Sequence, residues 1–377
     1  MNVFKCRLCG NSNLKSHLKL KNFPKAAQHF LDSIDDIDQD TPIQLDVSEC
    51  FSCGLVQLEN DPVSYYKDVI TAASLSDKSK QKLSEEWMPI IKKYSLAGSN
   101  AVEVGSCRGD FLEVLASLGF NATGIENSLE SCEISTKNGN KTIHGYLDEV
   151  VKKTKQTFSL VVCNNFLEHQ PRTSTFINGF KELLKEDGIL YISVPNLKYL
   201  MKKSCLYEFV ADHLVYFTDK TLKLALEMNG LEVLEQYEKN NGNDLVIIAK
   251  KRSLVNLDKS QEVVDNILIS LKKLVNSAQD KGKTISVWSA GHRALALMAM
   301  AEFDYIDNVV DSANFKQGKL TPILHKKIIS PDEFASKPSD IIILMLPGAY
   351  SNQVKEFLEK NNVKSEVYLF NDEPIKI

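Results

Sequence analysis

The chain has 377 residues, 43% hydrophobic and 25% charged, enough to bury at least two cores, so two or three domains are expected. Its net charge of −4, at a pI near 6.0 and with no lysine- or arginine-rich run on one face, supplies no electrostatic footprint for nucleic acid. Cysteines stand where a signal peptide needs an unbroken apolar core, and no run of 18 apolar residues occurs, so a cytosolic protein without membrane contact is expected, its eight cysteines thiols or metal ligands rather than disulfides.

The first four cysteines form two pairs, Cys6-Arg-Leu-Cys9-Gly10 and Cys50-Phe-Ser-Cys53-Gly54, while Cys107, Cys132, Cys163 and Cys205 are scattered. A Cys-x-x-Cys knuckle followed by glycine turns backbone amides toward two thiolates, and two knuckles supply the tetrahedral sulfur set that zinc favours, although four thiolates can also hold iron. Four ligands leave no open position, so Cys6, Cys9, Cys50 and Cys53 are expected to hold a structural Zn2+ that staples a module, residues 1–62, too small to keep a core alone. Residues 63–98 carry apolar positions at helical spacing and end near Gly98, which predicts a helical linker.

Residues 99–252 alternate short apolar runs (NAVEVG, NATGIE, FSLVVCNN, ILYISVPN) with amphipathic stretches, the pattern of βαβ units on a parallel sheet, and DLVIIAKK closes the domain. A polar, lysine-rich stretch then leads into a helix, and the pattern begins again with TISVWSAGHRALALMAMAEF, DIIILMLPGAY and SEVYLF, predicting a second, smaller doubly wound domain over 253–377. The fold class is therefore α/β: a Rossmann-like domain preceded by a metal-binding module and followed by a smaller Rossmann-like domain.

The first strand of the central domain ends in Glu103-Val-Gly105-Ser-Cys-Arg-Gly109. In an α/β domain this end reaches the ligand crevice, and glycines let backbone approach closely. The glycines stand four apart and an acid precedes them, which suits a cationic or hydroxyl-bearing ligand better than a pyrophosphate. The next strand ends in Glu126, placed to take two ribose hydroxyls. Adenosine with a cationic amino-acid tail meets both demands.

These residues resemble the first motif of the class I S-adenosylmethionine-dependent methyltransferases, E/D-x-G-x-x-x-G with an acid ending the second strand. The resemblance implies that Glu103, Gly105 and Gly109 border the methionine part of S-adenosyl-L-methionine and that Glu126 binds its ribose. Asn164 and Asn165, in the loop after FSLVVC, match the family's post-strand motif at the cofactor. Across nearly the whole chain, the order of four-cysteine module, methyltransferase domain and C-terminal Rossmann-like domain is similar to sugar C-methyltransferases that act on nucleotide-linked keto-deoxysugars. Their C-terminal domains carry motifs similar to Asp311-Ser-Ala-Asn314-Phe-Lys316-Gln-Gly-Lys and Ile329-Ser-Pro.

Methyl transfer to carbon needs a base beside a carbonyl and a group that holds the enolate. The resemblance places a Glu-His pair and a following tyrosine where this chain has Asp212-His213-Leu-Val-Tyr216, making His213 the first candidate base, with Asp replacing Glu. His169, in LEHQP, is the second. A family tyrosine after the zinc module corresponds to Tyr65-Tyr66, with Tyr66 preferred. Asn243, in the amide-rich turn Asn240–Asp244, either donates to sugar hydroxyls or merely closes a β-turn. The amides of Ser289-Ala-Gly-His292-Arg293 and the Arg293 side chain suit a phosphate, but the family usually has small residues at 292 and 293. Lys316 enters as a substrate contact through its motif. Asp311 suits a ribose hydroxyl, although the full Gly-x-Gly-x-x-Gly of a dinucleotide site is missing. The expected partner is a small-molecule substrate, a nucleotide-linked sugar, on a monomer or homodimer. An O- or N-methyltransferase and a scaffold without turnover are the alternatives.

Overall fold

The computed structural model describes residues 4–25, 30–31, 33–67, 74–346, 348–370 and 374–376. It divides into two compact units, Met1–Ser253 and Leu254–Ile377. Among the described residues no helix is long and apolar enough to cross a membrane.

The first unit opens with β1 (Leu14–Phe23), β2 (Ile43–Cys50) and β3 (Val56–Leu58), followed by α1 (Asp77–Lys93). The central domain then runs β4 (Asn100–Val104), α2 (Asp110–Ser117), β5 (Asn121–Glu126), α3 (Leu129–Lys137), β6 (Lys141–His144), α4 (Leu147–Lys153), β7 (Phe158–Asn164), α5 (Thr173–Leu183), β8 (Leu184–Pro195), α6 (Leu197–Lys202), β9 (Val215–Tyr216), α7 (Asp219–Met228), β10 (Leu231–Lys239) and β11 (Asp244–Lys251). Seven of these strands form one sheet in the order β10-β11-β8-β7-β4-β5-β6. All pairs are parallel except those of β11, which runs antiparallel to both neighbours. Strand order reverses between β4 and β7, so the crevice outside their C-terminal ends is the topological switch point where such sheets bind ligands. β8 begins at Leu184, ahead of the apolar run ILYISVPN, and its pairing with β7 slips between Phe158 and Leu160.

Residues 63–98, expected as a linker, contribute α1 to the cover of this sheet. Trp87 and Ile91 are buried with Leu115, Val162, Tyr191 and Ile248, and the Trp87 ring lies 4.6 Å from that of Tyr191 and 5.5 Å from that of Phe111. The amphipathic stripe on α1 is the reason: its apolar side finds the sheet rather than solvent.

The N-terminal module is a four-stranded antiparallel sheet in the order β1-β2-β3-β9. Three strands come from the cysteine module and the fourth from residues 215–216 of the central domain. Val56 pairs with Tyr216 and Gln57 with Val215, and the Leu58 amide donates to the Leu214 carbonyl at 3.0 Å.

The second unit holds α8 (Ser260–Asp280), β12 (Ile285–Trp288), α9 (His292–Met300), β13 (Asn308–Val310), β14 (Ile328–Ile329), α10 (Pro331–Ser336), β15 (Ile341–Leu344), α11 (Gly348–Lys360), β16 (Glu366–Phe370) and β17 (Pro374–Lys376). Its sheet order is β14-β13-β12-β15-β16-β17, parallel except for β17. The second doubly wound domain expected from the sequence has this sheet, and its strands IIIL and ISVW are buried along their whole length, as a sheet covered on both faces requires.

If α1 is a layer of the central domain, Trp87→Ala should lower the unfolding free energy by about 3–5 kcal/mol. Urea denaturation measures it; a change near zero would return α1 to the role of a tether.

Candidate active site

The two cysteine knuckles have the same local geometry. In each, the amide of the glycine after the second cysteine donates to the carbonyl of the first, Gly10 to Cys6 at 2.9 Å and Gly54 to Cys50 at 2.8 Å. Both glycines stand at φ near +70°, which a residue with a side chain rarely adopts. The four sulfurs lie within 4.8 Å of one another, with Cys6 to Cys53 and Cys9 to Cys50 each at 3.5 Å. Sulfurs about 2.3 Å from a central ion would stand about 3.8 Å apart in a tetrahedron, so the set is already near the spacing of a closed four-thiolate site. The Cys53 thiol beside it, with the Cys9 and Leu8 amides, pulls Cys6 down to about 5, and Cys53 holds the shared proton. Arg7, inside the first knuckle, donates to the carbonyls of Leu58, Asn60 and Pro171, tying the knuckle to β3 and to the loop that follows His169.

At the C-terminal end of β4 the backbone passes through left-handed conformations at Gly105, Cys107 and Gly109. A Cβ at Gly105 would lie 2.8 Å from the Phe166 ring, so glycine is required by the close approach. Glu126 is buried and accepts from the amides of Cys107 and Ser128, each at 2.8 Å, which locks the loop after β4 onto the end of β5. Glu103 is buried too. One of its oxygens accepts from the Asn164 amide at 3.3 Å, while the other is enclosed without a partner. Burial pushes its carboxyl up to about 8, against the pull of Asn164. An orphaned carboxylate oxygen beside a glycine turn fits a cationic group brought by a ligand, as the ammonium of a methionine tail would be. Asn164 and Asn165 both accept from the Ser193 hydroxyl at 3.2 Å, and Asn165 sits at φ 45°, so the β7 loop is pinned to β8.

Phe166 joins this loop to a second group of side chains. Its ring centroid is 6.1 Å from that of His169, and His169 stacks edge-to-face on His213 at 4.7 Å. His169 lies on a 3-10 turn (Leu167–His169) and His213 just before β9. The Asp212 backbone carbonyl accepts from His169 Nδ1 at 2.9 Å, which fixes the tautomer and leaves Nε2 with a lone pair. The Asp212 carboxylate accepts from the Tyr65 hydroxyl at 3.0 and 3.1 Å. Burial lowers the basicity of both imidazoles, His213 to about 3 with help from the neighbouring His169, so both are neutral near pH 7. A cavity of about 730 Å³ opens beside Tyr65 and Ala211, with Asp36, Asp40, Asp61 and Lys25 among its walls. That acidic lining suits hydroxyl groups rather than phosphate.

Other sequence candidates take different places. The Tyr216 hydroxyl is buried and committed to the backbone of Val210, accepting from its amide at 2.9 Å and donating to its carbonyl at 3.3 Å, so it closes the loop that carries His213. Tyr66 packs edge-on against Tyr146 at 6.2 Å, one residue out of phase with Tyr65, which reaches Asp212. Asn243 is in the β10–β11 hairpin and donates to Asp244 at 2.8 Å. In the second unit, His292 and Arg293 start α9. Asp311 accepts from the amides of Ala290 and Ala313 and from Lys316 at 2.8–2.9 Å, so its carboxylate is engaged by loop amides and a lysine. The sequence reading assigned no role to Glu168 or Arg7. Glu168 stands in the quoted Leu-Glu-His, but only the 3-10 turn reveals which way it points.

The Glu103 shift has a definite sign. A carboxyl raised to about 8 is protonated when folded and ionised when unfolded at intermediate pH, so the ligand-free protein should lose stability as pH rises from about 4.5 through 8. Urea titrations at pH 5.5 and 8.5 should show this loss, and Glu103→Gln should reduce it.

Residues 79–236 match a family described as "Methyltransferase domain" and residues 249–366 one described as "C-methyltransferase C-terminal domain". The C-methyltransferase NovU of Streptomyces niveus is 25% identical over 95% of this chain and 93% of its own length. The ubiquinone biosynthesis O-methyltransferase of Actinobacillus pleuropneumoniae is 29% identical over 28% of this chain, a stretch that covers about half of that relative (49%). A solved S-adenosylmethionine-dependent methyltransferase from Clostridium acetobutylicum superposes with a TM-score of 0.40 at 12% identity, over 47% of this chain and 94% of that one. The glycine loop and both domain matches lead to one conclusion: the chain is an S-adenosylmethionine-dependent methyltransferase whose C-terminal region matches the C-methyltransferase C-terminal domain.

Proposed function

We propose that the protein methylates a carbon beside the carbonyl of a nucleotide-linked keto-deoxysugar through an enolate. The observation that supports this most is the paired neutral imidazoles of His169 and His213, linked through Phe166 to the glycine loop. Oxygen or nitrogen acceptors bring their own lone pair, whereas a carbon acceptor must first lose a proton. S-adenosyl-L-methionine, held by Glu103, Gly105, Gly109 and Glu126, supplies an electrophilic methyl group. His213 takes the proton of the acidic C–H at a ring nitrogen; being neutral, it is free to accept it. Tyr65, whose hydroxyl donates to Asp212, lines the cavity that would take the sugar hydroxyls.

In this reading the four cysteines hold a structural zinc ion, which keeps β3 against β9 and so positions His213 from behind. Elemental analysis should find one zinc per chain, lost in Cys6→Ser. Chelation should speed amide exchange at Val215 and Tyr216; unchanged exchange in metal-free protein would remove zinc from the positioning of His213.

The reaction is tested by incubating the protein with labelled S-adenosylmethionine and nucleotide-linked 4-keto-6-deoxysugars in heavy water. Solvent deuterium beside the carbonyl, together with a new carbon-bound methyl, is the expected result. Methyl transfer without exchange would assign an oxygen or nitrogen acceptor instead. His213→Ala should cut turnover by about 10²-fold or more while leaving cofactor affinity nearly unchanged.

A further inference from the structure

We infer that Glu168 is the positioning carboxylate of the His213 base: it accepts a hydrogen bond from one imidazole nitrogen so that the other faces the substrate carbon. The inference deepens the reading above and rests on it. Glu168 is 2% exposed, and one of its oxygens is enclosed without a hydrogen-bond partner. A Glu168 carboxylate oxygen and one nitrogen each of His169 and His213 lie within 4.8 Å of one another. Contacts of this kind commonly tighten to a hydrogen bond when substrate binds.

Tautomer chemistry decides which histidine is the partner. The N–H of neutral His169 is already donated to the Asp212 carbonyl, so its other nitrogen carries a lone pair and has nothing to give a carboxylate. His213 can offer an N–H. The neighbouring Asp212, the residue suggested by sequence adjacency, directs its carboxylate to Tyr65. The backbone around Glu168 is fixed independently of its side chain: the Leu214 amide donates to the Glu168 carbonyl at 2.8 Å, binding the 3-10 turn to the residue after His213.

The charge balance is consistent. When the substrate C–H bond breaks, the proton forms a new N–H bond on the outer nitrogen of His213, and the imidazolium is neutralised by Glu168 as a carboxylate. Burial and His169 lower His213 to about 3, so the imidazole by itself is a weak base, and an ionised carboxylate beside it would strengthen its hold on the proton. Burial in turn raises Glu168 to about 8, with Asp244 acting in the same direction; Cys163 and the Tyr216 hydroxyl, held protonated by burial, also face it and add no charge. Turnover should therefore rise with pH as Glu168 ionises, with a midpoint near pH 8.

The test uses the full chain with Glu168→Gln and Glu168→Asp, first comparing thermal melts to show that both fold. In protein labelled with 15N-histidine, the wild type above pH 8 should show one His213 tautomer, and Glu168→Gln should lose that preference. With substrate, Glu168→Gln should lower kcat about 10²-fold with KM within about threefold, and flatten the rise toward pH 8. Glu168→Asp should recover part of the rate. An unchanged His213 spectrum in Glu168→Gln would overturn the inference whatever the substrate, as would stoichiometric binding of added Zn2+ or Co2+ that depends on Glu168, His169 and His213 together. Loss of the His213 tautomer preference in Glu168→Gln with no methylation of any keto sugar would leave the dyad standing and sink only the proposed substrate.

Discussion

The pairing of β3 with β9 is the contact on which the site depends. Two residues of the central domain, Val215 and Tyr216, complete the sheet of the cysteine module, and the Leu58 amide donates to the Leu214 carbonyl while the Leu214 amide donates to the Glu168 carbonyl. Leu214 is thus held from both sides, with His213 immediately before it. The imidazole is positioned by backbone hydrogen bonds on rigid elements rather than by a free loop, which suits the role of base proposed for it.

A metal-like cluster far from the chemistry then acquires a physical role. The knuckles set the β2–β3 hairpin through Cys50 and Cys53, and Arg7 clamps the carbonyls of Leu58, Asn60 and Pro171. The module is too small to be stable by apolar burial alone. In the proposed function a zinc ion on the sulfur cluster stabilises it, and the module passes that rigidity to the two loops that carry His169 and His213.

Electrostatics divides the site into two halves joined by Phe166. On the proposed cofactor side, Glu103 and Glu126 are buried, one with an enclosed oxygen that lacks a partner and one accepting from two loop amides. On the substrate side, two imidazoles are held neutral by burial. The low-dielectric setting that disfavours charge in the empty protein makes each compensating partner more valuable when ligand arrives.

The local codes were legible in the amino-acid order. Two Cys-x-x-Cys-Gly knuckles, the Glu103–Gly109 turn, Glu126 and the alternating strands each rest on short-range rules of thiolate geometry, left-handed glycine and side-chain period, so spacing exposed the sulfur cluster, the glycine turn after β4 and the two Rossmann-like sheets. Side-chain direction was not legible. Tyr65 and Tyr66 differ by one residue, and only packing puts the first on Asp212 and the second on Tyr146. Tyr216 reads like an active-site hydroxyl but is closed on the Val210 backbone, and Asp311 reads like a ribose ligand but its carboxylate is engaged by amides and Lys316. Glu168, 45 residues before His213 in the chain, becomes its neighbour because the 3-10 turn and β9 are brought together by a hydrogen bond between backbones, a long-range contact that local sequence does not encode.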